Sequence, residues 1–177
     1  MKKISSIIII FLIFILIYFL QSNFFVWFNI SGIKPNLFIV LVLITGLYIG
    51  KPYSIAIGIA LGLLLDLFIG KKLGMYGIQL GLAAFLGVIF NKNFSKDSRI
   101  TIMLMVAGTT FICESLIYIY QVILYKSVFE IISFIKIISI EIIFNTILII
   151  IIYPLMQKLG ELLEKSFNEN KILTKYY

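Results

Sequence analysis

With 177 residues, 62% of them hydrophobic and only 13% charged, and a mean hydropathy of +1.13, the chain is too apolar for a water-soluble domain, in which about a quarter of residues are charged. Its formal charge of +7 arises from fifteen Lys and Arg against eight Asp and Glu; these basic residues stand at the ends of apolar runs without forming a stripe or patch, so they read as topology signals and exclude a nucleic-acid surface. One cysteine, Cys113, and no histidine exclude a disulfide framework, a thiolate metal cluster and histidine-based acid–base chemistry.

A crossing helix needs roughly 20 apolar residues to span about 30 Å of hydrocarbon, and the long continuous runs here predict helices, giving an all-α integral membrane bundle of about six. Met1-Lys2-Lys3 followed by Ile4 to Leu20 resembles a secretory signal, but Gln21-Ser22-Asn23-Phe24-Phe25 offers no small-x-small cleavage site, so this is expected to be an uncleaved first span. It contains no Gly or Ala and suits the lipid-facing rim or the seat of a partner helix. Pro35 opens the second span, Asn36 to Ile49, which is short for a crossing and is expected either inside the bundle or extended by its flanks. The third span, Tyr53 to Ile69, carries Ala56, Gly58, Ala60 and Gly62, and the fourth, Leu73 to Phe90, carries Gly77, Gly81, Ala83, Ala84 and Gly87. Both have the GxxxG spacing that lets helices approach closely, and together they are expected to form the packed centre, with a partner interface as the other use of such residues. The fifth span, Ile100 to Tyr125, is long enough to tilt.

Ser127 to Lys136 places Val128, Ile131, Ile132 and Ile135 on one helical face, as in a helix lying in the outer interface ahead of a sixth span, Ile137 to Met156. Residues 1–156 are thus expected to form the transmembrane domain and 157–177 a short cytoplasmic amphipathic tail that continues the sixth helix. Its stripe, Leu155, Leu159, Leu162, Leu163 and Phe167, with an i,i+4 pair of Glu161 and Lys165, fits a membrane surface or a cytoplasmic partner. Ten of the basic residues fall on one side of the six spans (Lys2, Lys3, Lys51, Lys92, Lys96, Arg99, Lys158, Lys165, Lys171, Lys175) and five on the other (Lys34, Lys71, Lys72, Lys126, Lys136), which predicts cytoplasmic termini in a bacterial plasma membrane.

Three acidic residues fall within spans, where each costs a few kcal/mol and is a candidate site. Asp66 lies at i+4 from Gly62 and i+8 from Gly58, near the outer end of the third span; it either caps and fixes the hairpin, paired with Lys71 or Lys72, or contacts a partner helix, a lipid headgroup or a proton. Glu141 has Asn145 one turn on, and the spacing allows it a depth similar to that of Asp66, within reach of Lys71, Lys72 or Lys136. Glu114 shares a stripe with Thr110, Tyr118 and Gln121. Asp66 is the single span aspartate, no base stands against a nucleophile and no phosphate loop is present, so neither catalysis nor a cofactor is expected.

From Pro35 to Leu86 the chain reads PNLFIVLVLITGLYIGKPYSIAIGIALGLLLDLFIGKKLGMYGIQLGLAAFL. A Pro opening the second span, a Gly-spaced third span ending in G-L-L-x-D, and a short Lys/Gly turn into the fourth resemble the MreD family of rod shape-determining membrane proteins, on Pro35, Gly58, Gly62, Leu63, Leu64, Asp66 and Gly74. The resemblance implies a membrane subunit of the peptidoglycan elongation machinery, associated with the bitopic protein MreC, the wall synthases and the actin-like MreB filament. It also implies a bundle similar to the substrate-binding subunits of energy-coupling-factor vitamin transporters, which leaves such a subunit as a second reading. Those subunits resemble one another in an Ala-x-x-x-Ala face on the first helix; here Ala56 and Ala60 stand in the third. A small ion-coupled carrier using Asp66, Glu114 and Glu141 is a third reading, without the discontinuous helix pair that would mark its midplane site.

Overall fold

The computed structural model describes residues 2–69, 73–94, 96, 98–126 and 128–168. Among these residues there are six α-helices, α1 (Lys2–Phe19), α2 (Leu37–Ile49), α3 (Tyr53–Ile69), α4 (Met75–Asn93), α5 (Arg99–Tyr125) and α6 (Ile131–Phe167), and no strand. The chain is the all-α membrane protein that its composition predicts. Four helices, namely α1 with its continuation to Phe24, α4, α5 and α6, are long and apolar enough to cross a membrane, and α2 and α3 are shorter.

The architecture turns on α2. Its sequence, LFIVLVLITGLYI, has no polar face, and all 13 of its residues are buried; a helix apolar on every side belongs where neighbours surround it. It packs against α1, α3, α4, α5 and α6. At 1.5 Å per residue it is about 20 Å long, well short of the roughly 30 Å of a hydrocarbon core. The third and fourth helices pack closely on each other, as their glycines predict, and α2 stands at the centre beside them. Glycine there marks close approach: a Cβ on Gly87 would stand 2.8 Å from the backbone nitrogen of Leu47, and one on Gly58 would stand 2.8 Å from the carbonyl oxygen of Leu80. Central position was decided by hydrophobicity around the whole circumference of α2.

On the rim, α1 buries only Ser6, Ile10, Phe14 and Ile17, one stripe at helical spacing, with the Phe14 ring 5.1 Å from that of Phe38. Ile8, Leu12, Leu16 and Phe19 face outward. The helix widens for one turn at Leu20–Phe24, closed by Phe25 N–H to the Leu20 carbonyl at 3.0 Å. The chain then reverses at Ser31 and Gly32, both with positive φ (+53° and +81°), to reach α2.

The largest departure from the expected spans concerns α6, a single helix of 37 residues. Residues 131–136, expected in a separate interfacial helix, are its first turns, because no Gly or Pro interrupts the chain from Ile131 to Tyr153; Ser127 lies outside the described residues. Pro154 is accommodated inside the helix, where it removes one backbone donor. Beyond it, Leu159, Leu163 and Phe167 are buried while Leu155 and Leu162 face outward. The Tyr48 ring covers Gly160, where a Cβ would meet its carbons at up to 2.6 Å.

The ends of α2 and α6 cap each other. Asn168 Nδ2 donates to the carbonyls of Tyr48 and Ile49 (3.3 and 3.2 Å), and Lys51 Nζ donates to the Phe167 carbonyl (2.8 Å), satisfying orphan acceptors at two helix C-termini. Lys96 and Glu164 form an ion pair at 3.0 Å, and Glu161 is met by Gln157 at 3.3 Å. Ser6 Oγ donates to Ser166 Oγ at 2.8 Å, which puts the start of α1 and the end of α6 at the same end of the bundle.

Candidate functional site

The opposite end of the bundle, where α3 and α5 finish and α2, α4 and α6 begin, holds all three span acids. Asp66 is 0% exposed. Its Oδ2 accepts the backbone N–H groups of Gly74 (2.9 Å) and Gly77 (3.2 Å), and its Oδ1 accepts that of Tyr76 (3.0 Å). A carboxylate from α3 thus caps the start of α4, supplying acceptors to orphan donors and a negative group to the positive end of the helix dipole. Two glycines make this possible. Gly74 adopts φ +99°, a conformation that L side chains rarely take. A Cβ on Gly62 would stand 2.6 Å from Gly77 Cα, so glycine at the i−4 position lets α4 come within reach of Asp66. Lys71 and Lys72, expected to pair with Asp66, lie outside the described residues.

Glu114 and Glu141 meet each other; Lys71 and Lys72, expected within reach of Glu141, lie outside the described residues. Glu141, 6% exposed, hydrogen-bonds both Glu114 and Asn36. Glu114 Oε1 accepts the side-chain amides of Gln79 (2.5 Å) and Asn36 (3.4 Å). The backbone N–H of Asn36 donates to Asn145 Oδ1 (2.8 Å), and Asn145 Nδ2 donates to Thr110 Oγ1 (3.0 Å). One network therefore ties the start of α2 to α4, α5 and α6. Pro35, immediately before it, accepts from Gln21 Nε2 at 2.8 Å and links the loop to the end of α1.

The network lines a cavity of about 470 Å³ at this end of the bundle, whose lining includes Asn36, Gln79, Glu114, Gln121 and Glu141 together with Phe38, Leu65, Met75 and Ile117. Asp66 does not line it, whereas Tyr76, whose backbone N–H it accepts, does. The seven residues singled out by sequence thus divide by place: Gly58, Gly62, Asp66 and Gly74 in the α3–α4 corner, and Pro35, Glu114 and Glu141 around the cavity. Asn36 and Gln79 were missed. The available signal was a lone amide in each case, one following Pro35 and one within the Gly- and Ala-rich fourth span.

A family model described as rod shape-determining protein MreD matches residues 1–162, a stretch that takes in α1 to α5 and most of α6. No curated relative and no solved structure gives a significant match. The match spans both the Asp66 corner and the carboxyl network, and on it the chain belongs to the MreD family of rod shape-determining membrane proteins.

Proposed function

We propose that the protein is a non-enzymatic scaffold subunit of the bacterial cell-wall elongation complex, needed for rod shape because it couples an MreC-like bitopic protein, the peptidoglycan synthases and the actin-like MreB filament. It sits in the plasma membrane with both termini in the cytoplasm, as the ten-to-five division of basic residues supports.

The observation that carries the scaffold reading is the outer face of α3. Ala56 and Ala60 are both exposed there, one turn apart, among large side chains such as Ile59, Leu63 and Leu67. In lipid, where apolar area alone drives no association, small residues on an open face let a second helix approach closely. The buried acids, in contrast, are engaged within the bundle and leave this face wholly apolar. The docking helix is assigned to the MreC-like partner, which has a single span to offer.

Affinity recovery of the tagged protein from its native membrane in mild detergent, followed by mass spectrometry, tests both parts. The wild type should bring down the bitopic protein and the synthases. Ala56→Phe combined with Ala60→Phe should lose the bitopic protein while leaving the melting temperature unchanged; undiminished recovery would remove α3 as the docking face. Recovery of paired ATPases with a coupling subunit would replace the scaffold with a transporter component.

A further inference from the structure

The turn that joins α1 to α2 carries an apolar surface that the bundle leaves uncovered. Phe24, Val26, Phe28 and Ile30 are exposed there, and Trp27 is 87% exposed. The turn has a defined shape. Phe25 roots it in the core, and the Phe24 ring stands 5.3 Å from that of Phe25 and 4.8 Å from that of Phe28. Asn29 closes it: its Nδ2 donates to the Val26 carbonyl (2.7 Å) and its Oδ1 accepts the Gly32 N–H (3.1 Å). Ile30 and Ile33 exchange backbone hydrogen bonds of 3.1 and 3.0 Å.

Three constraints fix the depth of this turn. So many exposed apolar side chains in one short segment oppose immersion in water. Irregular backbone that faces lipid does not occur within the hydrocarbon, where its polar groups would go unmet. The third constraint is length. Lys3 is exposed at the start of α1, and the helix runs 23 residues from Lys2 to Phe24. At 1.5 Å per residue that is about 35 Å, more than the roughly 30 Å of hydrocarbon and less than the 40–45 Å that includes the headgroup regions. With its lysines at one polar boundary, α1 delivers the turn to the opposite one.

The surface also continues the lipid-facing side of α1. Ile8, Leu12, Leu16 and Phe19 face outward along that helix, and Phe24 follows Phe19 by little more than one turn, so the bilayer that covers the first four reaches the fifth. Lys34, just beyond the turn, is exposed and suits a phosphate layer. An indole, apolar in its rings and polar at its N–H, is favoured at that boundary.

We propose that residues 24–30 are an interfacial anchor whose partner is a lipid surface, with the Trp27 indole among the glycerol ester and phosphate groups and the Phe24 and Phe28 rings against the upper acyl chains. The anchor holds the end of α1 at a set depth and, through the 2.8 Å bond from Gln21 to the Pro35 carbonyl, the start of α2 as well. It applies in either orientation of the chain and is independent of the scaffold role and of the α3 face.

Trp27 is the only tryptophan in the chain, so the unaltered full-length protein carries its own probe. In phosphatidylcholine vesicles its emission maximum should lie to the blue of free tryptophan in buffer. Phosphatidylcholine brominated at the sixth and seventh acyl carbons should quench it more strongly than phosphatidylcholine brominated at the eleventh and twelfth. Iodide on both sides of the membrane should quench it less than it quenches free tryptophan. Leu12→Trp in a Trp27→Phe background, halfway along α1, should show the reverse order of the two brominated lipids, and Phe28→Trp in the same background should repeat the order of Trp27. Quenching by iodide equal to that of free tryptophan, with no effect of either brominated lipid, would place the turn in water as a surface for a soluble partner and overturn the anchor. A Trp27 profile that matches the Leu12→Trp variant would place the turn in hydrocarbon and overturn it equally.

Discussion

At Asp66 three backbone N–H groups replace the water that a carboxylate loses on burial, and they belong to a helix that would otherwise leave them unpaired. Asp66→Ala should cost about 2 kcal/mol or more, and Asp66→Asn, with one acceptor oxygen retained, should cost less. The melting temperature in detergent reports both, and an unchanged value for Asp66→Ala would remove the cap from the account. Gly62→Leu is expected to be worse than either. Its side chain would press on the Tyr76 carbonyl and Gly77 Cα, which are backbone and cannot swing aside, so α4 would move away from Asp66 as well. Loss of a monodisperse peak on size exclusion is the expected result.

Among the elements, α6 gives the clearest contrast between amphipathic pattern and packing. The apolar stripe of its last turns includes Leu155, Leu159, Leu162, Leu163 and Phe167 by residue type, yet the buried set is Met156, Leu159, Gly160, Leu163 and Phe167. A helical stripe wide enough to hold four leucines and a phenylalanine can be rotated by a fraction of a turn without changing its pattern. What fixes the rotation is Gly160 under the Tyr48 ring, together with the reciprocal caps of Asn168 and Lys51. Leu163→Ala, at a site 0% exposed, should therefore destabilise by about 2–4 kcal/mol. Leu155→Ala, at 65% exposed, should stay within about 0.5 kcal/mol. Equal effects in thermal unfolding would mean that the last turns of α6 do not pack on α2.

For the whole molecule, the start of α1 and the end of α6 lie at one end of the bundle and the polar cavity lies at the other. In a Cys113→Ala background, single cysteines at Val128, 83% exposed, and at Asn93 test the orientation proposed from the lysines. A membrane-impermeant maleimide added to spheroplasts should modify Val128→Cys and leave Asn93→Cys unlabelled; the reverse pattern would invert the topology and turn the cavity towards the cytoplasm.

Composition and run length by themselves determined the all-α membrane class and the six helices, and most ends fall within two or three residues of the spans read from the chain, because hydrophobicity over about twenty residues is a local property that lipid reads directly. The i,i+4 spacing of Gly62 and Asp66 also showed that glycine and carboxylate share a face. Three things needed the tertiary structure. The place of α2 at the centre depended on which helices surround it, and the partners of Asp66 are backbone groups of the next helix, which no residue pattern displays. The meeting of Glu114 with Glu141 depended on the relative rotation and height of α5 and α6. In lipid, apolar helices gain little from one rotation over another until specific contacts choose it, and those contacts join residues far apart in the chain, such as Asn36 with Asn145 and Gln79 with Glu114.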